Sequence, residues 1–339
     1  MIIKLEKEIT GLTKEKIKEK LNEFGYKSNF VSTQYNNYII GVGNKEFDIR
    51  AIGVIEGVKD IYTVVEPSKL VSRQWKTRGT IIDLGDGVKI GHGNFQIMAG
   101  PCSIESEEQI KTTIDHLIKN NIKIMRGGVY KPRSSPYAFR GLGMEGLKIF
   151  YKYANENNIK IITEVMMPEQ IEEMYQFVDI FQVGARNSQN FNLLDALGKQ
   201  DKPVMLKRGI SGTLDELLAS AEYIFSNGNE DILLCERGIR TYEKSYRNTF
   251  DINAIPYLKE KSHLPVVVDA SHGVGIRRLV EPVTLAGIIA GGDSVITEVH
   301  ETPQIAFSDG AQTLSHAEAE IYYKNIRKTV DFRKTLEKF

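Results

Sequence analysis

The chain has 339 residues and carries 44 Lys+Arg against 44 Asp+Glu, a formal net charge of zero at pH 7. That balance argues against a nucleic-acid partner, which calls for a basic excess to displace counterions, and against a membrane-surface role, which calls for a basic amphipathic face. With 41% hydrophobic and 26% charged residues, only two cysteines and no apolar run near the ~18 residues of a membrane span, the composition is that of a globular protein held by its core.

Residues 1–66 read as a small open-faced unit. Ile2-Ile3-Lys4-Leu5 is a short strand that runs into charged sequence and not into a signal peptide, which points to the cytoplasm. Leu12, Ile17, Leu21 and Phe24 recur at helical spacing, and Gly25 ends that helix. Phe30-Val31-Ser32-Thr33 and Tyr38-Ile39-Ile40-Gly41-Val42 are β-rich and flank Gln34-Tyr35-Asn36-Asn37, a hairpin signal. A helix near 46–55 and a strand over 61–65 complete a β-α-β-β-α-β order, the ferredoxin-like arrangement. Residues 67–94 hold a polar linker and then a hairpin over 81–90 with Asp86-Gly87 in its turn, expected to plug or flank the next domain.

From residue 95 to 339, strand patterns alternate with helical ones. Strand candidates lie at 95–99, 122–125, 159–164, 179–183, 203–206, 231–235, 265–269 and 294–298. Eight such units point to an α/β fold, a (β/α)8 TIM barrel preceded by the small ferredoxin-like α+β domain. An open doubly wound sheet is the competing architecture, but no G-x-G-x-x-G follows any strand.

In a barrel the chemistry sits at the carboxyl ends of the strands. Arg126, Lys131, Arg133, Arg186, Lys207, Arg208 and Arg237 stand at or just past those ends, often beside glycine. Forked guanidinium donors and approachable backbone N–H groups suit phosphate and carboxylate, so these loops predict a polyanion site. Cys102, His272, Glu298 and Asp309 form a mixed soft and hard donor set suited to a first-row divalent ion, and the first, seventh and eighth strands are neighbours in a closed barrel. Cys235, inside Leu233-Leu234-Cys235, reads as core. The loop from Tyr130 to Gly143 is stiffened by Pro132 and Pro136 and offers Lys131, Arg133, Ser134 and Ser135 to a second phosphate.

These strings resemble a known family. A-G-P-C-S at 99–103, G-G-V-Y-K-P-R-S-S-P-Y at 127–137, V-G-A-R-N at 183–187, L-K-R-G at 206–209, E-R-G at 236–238, D-A-S-H-G at 269–273 and S-D-G-A-Q at 308–312 are similar to the 3-deoxy-D-arabino-heptulosonate 7-phosphate (DAHP) synthases. The match is to the short microbial branch with a ferredoxin-like N-terminal domain, and it is strongest over residues ~80 to 339. The resemblance implies a metal-dependent aldol-type condensation of phosphoenolpyruvate with erythrose 4-phosphate to DAHP and phosphate, the first step of the shikimate route to aromatic amino acids.

Carried over by position, Arg126, Lys131, Arg186, Lys207 and Arg237 are expected to clamp phosphoenolpyruvate, with the Ala185 N–H and Glu164 beside them. Arg133, Ser134 and Ser135 are expected at the acceptor's phosphate; Ser134 stands where the family usually has threonine, which keeps the hydroxyl. Cys102, His272, Glu298 and Asp309 are the expected ligands of one divalent metal ion, Mn2+ first, with Fe2+, Co2+ or Zn2+ as alternatives, and Lys131, His272 and Cys102 the residues nearest the chemistry. The resemblance further implies a homotetramer and an N-terminal module that answers to tyrosine or phenylalanine by covering the barrel mouth. The nearest rival is 3-deoxy-D-manno-octulosonate 8-phosphate synthase, which uses arabinose 5-phosphate. Lys131-Pro132-Arg133-Ser134 argues against it, because that relative resembles Lys-Ala-Asn-Arg here. Two further readings are a non-catalytic phosphosugar sensor and an aldolase with Lys207 as a Schiff base.

Overall fold

The computed structural model describes residues 1–132 and 135–336. Its first unit is built from β1 (Ile2–Leu5), α1 (Gly11–Glu23), β2 (Lys27–Ser32), β3 (Asn37–Val42), α2 (Arg50–Gly53) and β4 (Val58–Tyr62), with the antiparallel sheet order β2-β3-β1-β4. Thr10 caps α1 by accepting the Thr13 N–H, Ile17 and Leu21 bury against the sheet, and Gly25 leaves the helix at φ +77°.

Two elements differ from expectation. The second helix is a single turn, because Phe47 stacks on Phe24 at 4.2 Å and the Tyr26 hydroxyl donates to the Lys45 carbonyl, pinning the chain before Arg50 outside a helix. The last strand begins at Val58, directly after the positive-φ turn at Gly57, so Val65 falls outside the sheet.

The hairpin β5 (Ile82–Asp83) and β6 (Lys89–Ile90) turns at Asp86 and Gly87, both at positive φ. Eight parallel strands follow among the described residues: β7 (Gln96–Gly100), β8 (Ile124–Arg126), β9 (Lys160–Val165), β10 (Ile180–Val183), β11 (Val204–Lys207), β12 (Ile232–Glu236), β13 (Val266–Val268) and β14 (Ser294–His300). Each pairs with the next, and β14 pairs with β7, so the barrel closes. The helices α3 (Glu107–Lys119), α4 (Gly143–Glu156), α5 (Gln170–Met174), α6 (Phe191–Gly198), α7 (Leu214–Ser226), α8 (Ala254–Lys261), α9 (Ala270–Val274), α10 (Arg277–Ile289) and α11 (His316–Thr335) connect them, and β15 (Leu314–Ser315) extends the edge of β14.

Each barrel strand turns one apolar side chain inward at its lower half: Met98, Ile124, Ile162, Ile180, Met205, Leu233, Val267 and Ile296. Ile82, Val88 and Ile90 of the hairpin pack on this layer, so the hairpin plugs the amino-terminal end of the barrel. Cys235 is part of the same cluster, as expected of a core residue.

The small domain docks at that same end. Thr33 Oγ1 donates to Glu230 at 2.6 Å, Tyr38 OH to Glu230 at 3.0 Å, and Tyr35 OH to Asp231 at 2.6 Å, all immediately before β12. Within one chain, then, the domain contacts the barrel at the end opposite its mouth, contrary to the expectation that it covers that mouth.

Candidate active site

Side chains alternate in and out along a strand, so the inward position after the apolar layer lies two residues further on. Counting on from Ile124, Ile162, Ile180, Met205, Val267 and Ile296 gives Arg126, Glu164, Gln182, Lys207, Asp269 and Glu298, a polar layer over the apolar one. Strand parity alone thus turns a dry floor into a charged ceiling. It also explains Arg208, which the sequence grouped with the anion-binding cations. Next to Lys207, it faces the other way and pairs with Glu236 at 2.9 Å and Asp251 at 3.0 Å.

Above this layer lies a cavity of about 340 Å³, walled by Arg126, Lys131, Pro132, Glu164, Gln182, Gly184, Ala185, Arg186, Lys207, Ile210, Arg237, Arg240, Arg247, Asn248, His272 and Asp309. Every described residue expected to clamp phosphoenolpyruvate is on this wall. Two glycines make the room. A Cβ on Gly184 would sit 2.0 Å from a Glu164 carboxylate oxygen, and one on Gly100 would sit 2.0 Å from the Arg126 carbonyl, where the chain turns to deliver Cys102.

Cations outnumber their partners here. Arg126 donates to the Pro101 carbonyl at 2.8 Å and to Glu298 at 3.2 Å, while its buried Nε has no partner among the described residues. Arg237 is buried, among the described residues donates only to its neighbour's carbonyl (Gly238, 3.2 Å), and burial lowers its pKa. A buried cation without a counter-charge, as at Arg237, and a buried donor left open, as at Arg126 Nε, call for an anionic ligand.

Three of the four expected metal ligands cluster on the adjoining wall, and the fourth, His272, stands beside them. One ligand atom each from Cys102, Glu298 and Asp309 lies within 4.8 Å of the others, and Cys102 Sγ contacts Asp309 Oδ2 at 3.2 Å. His272 joins through Nε2, 3.2 Å from Glu298 Oε1. Burial would raise the Glu298 carboxyl, but His272 and Arg126 outweigh it and bring it down to about 2. Asp309 is likewise held below the carboxylate range, against its burial, by His272 and Arg247. Burial, with the Glu298 charge, pushes the Cys102 thiol up to about 11. Sulfur and two carboxylates facing one point, with the His272 imidazole against Glu298 beside them, fit a first-row divalent ion, which would also take the thiol to thiolate.

Each of these four residues leans on another side chain. Lys131 Nζ donates to Cys102 Sγ at 3.0 Å, Gln312 Nε2 to Glu298 Oε2 at 2.9 Å and Arg247 Nη1 to Asp309 Oδ1 at 3.0 Å, while His272 Nδ1 lies 3.0 Å from Asp269 Oδ1. Gln312, Arg247, Asp269, Gln182, Arg240 and Asn248 were not anticipated. Strand parity marks Asp269 and Gln182, and Gln312 closes the S-D-G-A-Q string at 308–312, whereas Arg240, Arg247 and Asn248 come from loops with no local signal. On the acceptor side, Ser135 is exposed, accepts the Tyr137 N–H at 3.3 Å and is off the cavity wall, while Arg133 and Ser134 lie outside the described residues.

A family model described as the DAHP synthetase I family matches residues 75–334. Phospho-2-dehydro-3-deoxyheptonate aldolase of Thermotoga maritima is 46% identical over 277 residues, 82% of this chain and 82% of that protein. A more distant relative, 2-dehydro-3-deoxyphosphooctonate aldolase of Francisella philomiragia, is 32% identical over 66% of this chain and 86% of its own length. The crystal structure of the Thermotoga maritima phospho-2-dehydro-3-deoxyheptonate aldolase superimposes with a TM-score of 0.78 at 40% identity, covering 98% of this chain and 97% of that one. A truncated form of 3-deoxy-D-arabino-heptulosonate 7-phosphate synthase from the same organism gives a TM-score of 0.73 at 44% identity over 78% of this chain and 96% of its own.

Proposed function

The chain belongs to the DAHP synthetase I family, and from that premise we infer that it condenses phosphoenolpyruvate with erythrose 4-phosphate to give DAHP and inorganic phosphate. The observation that carries this reading is one cavity that joins a cluster of cations, among them buried Arg237 with no carboxylate partner among the described residues, to a Cys102–Glu298–Asp309 donor cluster. When bound, a divalent ion supplies Lewis acidity and orientation for the acceptor's aldehyde oxygen. Mn2+ is the proposed metal, with Fe2+, Co2+ or Zn2+ as alternatives, and Cys102, His272, Glu298 and Asp309 would hold it.

Arg126, Lys131, Arg186, Lys207 and Arg237 bind the carboxylate and phosphate of phosphoenolpyruvate and aim its methylene carbon at the aldehyde. Glu164 and the Ala185 N–H complete that pocket. We assign the acceptor's phosphate to Arg133, Ser134 and Ser135 in the loop beside Lys131. The methylene carbon attacks the aldehyde, water adds to the resulting cationic carbon, and phosphate leaves by C–O cleavage. Lys131 Nζ, 3.0 Å from Cys102 Sγ, is the chain's own proton source for the developing alkoxide.

In this reading residues 1–66 are a feedback module for tyrosine or phenylalanine, 67–94 the linker and plug, and 95–339 the catalytic barrel of a cytoplasmic homotetramer. Removing residues 1–66 is expected to leave catalysis and to abolish inhibition by those amino acids; inhibition that survives in the shortened enzyme refutes the module. No helix among the described residues is long and apolar enough to cross a membrane.

The decisive assay is phosphate release from phosphoenolpyruvate with erythrose 4-phosphate or arabinose 5-phosphate, each with and without a chelator. Release is expected with erythrose 4-phosphate, lost on chelation and restored by Mn2+. A preference for arabinose 5-phosphate, or full activity under chelation, overturns the assignment.

A further inference from the structure

Asp269 sits beneath the cavity floor, 1% exposed, and is not on the cavity wall. Its carboxylate is an anion placed among groups that bind anions, which subtracts from the attraction felt by a substrate. An electrostatic role toward substrate therefore does not explain it. Its contacts do. Oδ2 accepts from Lys207 Nζ at 2.6 Å, Oδ1 accepts the backbone N–H of His272 at 3.1 Å, and His272 Nδ1 lies 3.0 Å from Oδ1 and 2.8 Å from Oδ2. One rigid carboxylate thus holds a cation from the end of β11 and an imidazole from α9.

Asp269 is itself fixed from behind, since its backbone N–H donates to the Glu236 carbonyl at 2.9 Å. Because Nδ1 is held by Asp269, Nε2 is the ring atom turned toward Glu298 and the donor cluster. A carboxylate on the far nitrogen of a metal-binding imidazole fixes both tautomer and ring plane. The same carboxylate fixes where the Lys207 ammonium sits in the cavity. Direct contacts between the two subsites exist at Arg126–Glu298 and Lys131–Cys102, but each joins a cavity-facing cation to an expected ligand. Asp269 differs in facing neither substrate nor metal.

We propose that Asp269 is a positioning residue that sets the geometry of the divalent-metal site and of the phosphoenolpyruvate clamp together, through His272 and Lys207. The inference rests on the proposed function, and its test separates the two. Cobalt affinity is measured by titration of the thiolate-to-Co2+ absorption band, and phosphoenolpyruvate affinity by calorimetry on chelated, metal-free protein, so neither readout depends on turnover. Wild type that binds neither probe overturns the functional reading itself.

If wild type binds both, Asp269→Asn is expected to weaken cobalt by about 10- to 100-fold and phosphoenolpyruvate in the chelated protein by about tenfold, with an unchanged circular dichroism spectrum. The amide removes the negative charge from both contacts and puts an NH2 donor in place of one of the two accepting oxygens, so both constants are expected to move. Either constant staying within about twofold of wild type overturns the proposal. Should Asp269→Asn fail to fold, Lys207→Met cuts one arm of the bridge and leaves all four donors in place. Cobalt binding is then expected to weaken several-fold, and an unchanged cobalt constant overturns the proposal.

Discussion

Arg237 shows how affinity for an anion is held in a single side chain. Its guanidinium is 5% exposed and has no counter-charge in hydrogen-bond contact among the described residues. A buried charge left in that state is destabilising, and an apolar side chain of similar length removes the penalty. Arg237→Met is expected to stabilise the ligand-free protein by on the order of 1 kcal/mol, a rise of a few degrees in Tm, while weakening phosphoenolpyruvate binding by about tenfold or more. Thermal melts with and without phosphoenolpyruvate check both halves, because the variant should start higher and gain less; a variant that starts lower contradicts the account. Cys102 is the opposite case, a small buried side chain whose loss leaves little void but removes the one soft donor of the proposed metal set. Cys102→Ala is expected to lose metal-dependent turnover while its Tm moves by only a few degrees. Near-normal activity of that variant in chelated buffer would remove the metal role.

At the scale of elements, the β5–β6 hairpin does for the barrel floor what the loops do for its mouth. Ile82 and Ile90 are fully buried against the inward layer, and Lys160 Nζ ties the turn through Asp86 at 2.7 Å. Truncating a buried isoleucine loses transfer energy and leaves a cavity, so Ile82→Ala is expected to lower the unfolding free energy by about 2–5 kcal/mol. The Michaelis constant for phosphoenolpyruvate should stay within about twofold, since the apolar layer separates the plug from the site. Urea titration and steady-state kinetics on one preparation test this, and a large kinetic effect with unchanged stability refutes it. The barrel strands were legible to within two residues because a strand buried on both faces reads as a continuous apolar run, ending where a glycine or charge follows. Cys102, His272, Glu298 and Asp309, far apart in the chain, were legible as a donor set only once a closed barrel was assumed, as closure of β14 onto β7 is what brings their strand ends together. Arg247 and Arg240 were not legible, for their partners are chosen by tertiary contact and not by spacing. The docking of the β2–β3 turn on residues 229–231 is of the same kind, some 195 positions away in the chain.

For the whole molecule, protonation separates the frame from the site. His263, buried where the linker meets the barrel, contacts the Leu70 carbonyl and Thr80 Oγ1 at 2.8 Å each and meets Trp75 edge-on, and burial lowers its pKa from 6.5 to about 3. His316 of α11 stacks on His116 of α3 at 4.1 Å, and burial followed by the His116 charge brings it from 6.5 to about 4; burial lowers His116 as well. A histidine with a lowered folded-state pKa is neutral in the fold and charged in the unfolded chain below pH 6.5, so the unfolded chain binds more protons. Stability from these groups is therefore complete above pH 6.5 and is lost as pH falls from 6.5 towards about 4 and about 3. Glu298 sits in a lower window. Its folded value of about 2 against the ordinary 4.5 gives stability that is present above pH 4.5 and lost only as pH falls through about 2. Between pH 6.5 and 4.5 the linker contact and the α3–α11 seam should weaken while this site carboxylate keeps its charge. Chemical denaturation at pH 8, 6.5, 5.5 and 4.8 should show a stability that falls with pH, from pH 8 through the Met1 amino group, which burial lowers from 8.0 to about 6, and below pH 6.5 through these histidines as well, with His263→Gln declining less steeply than wild type below pH 6.5. Parallel curves for the two proteins would mean that His263 does not carry this dependence.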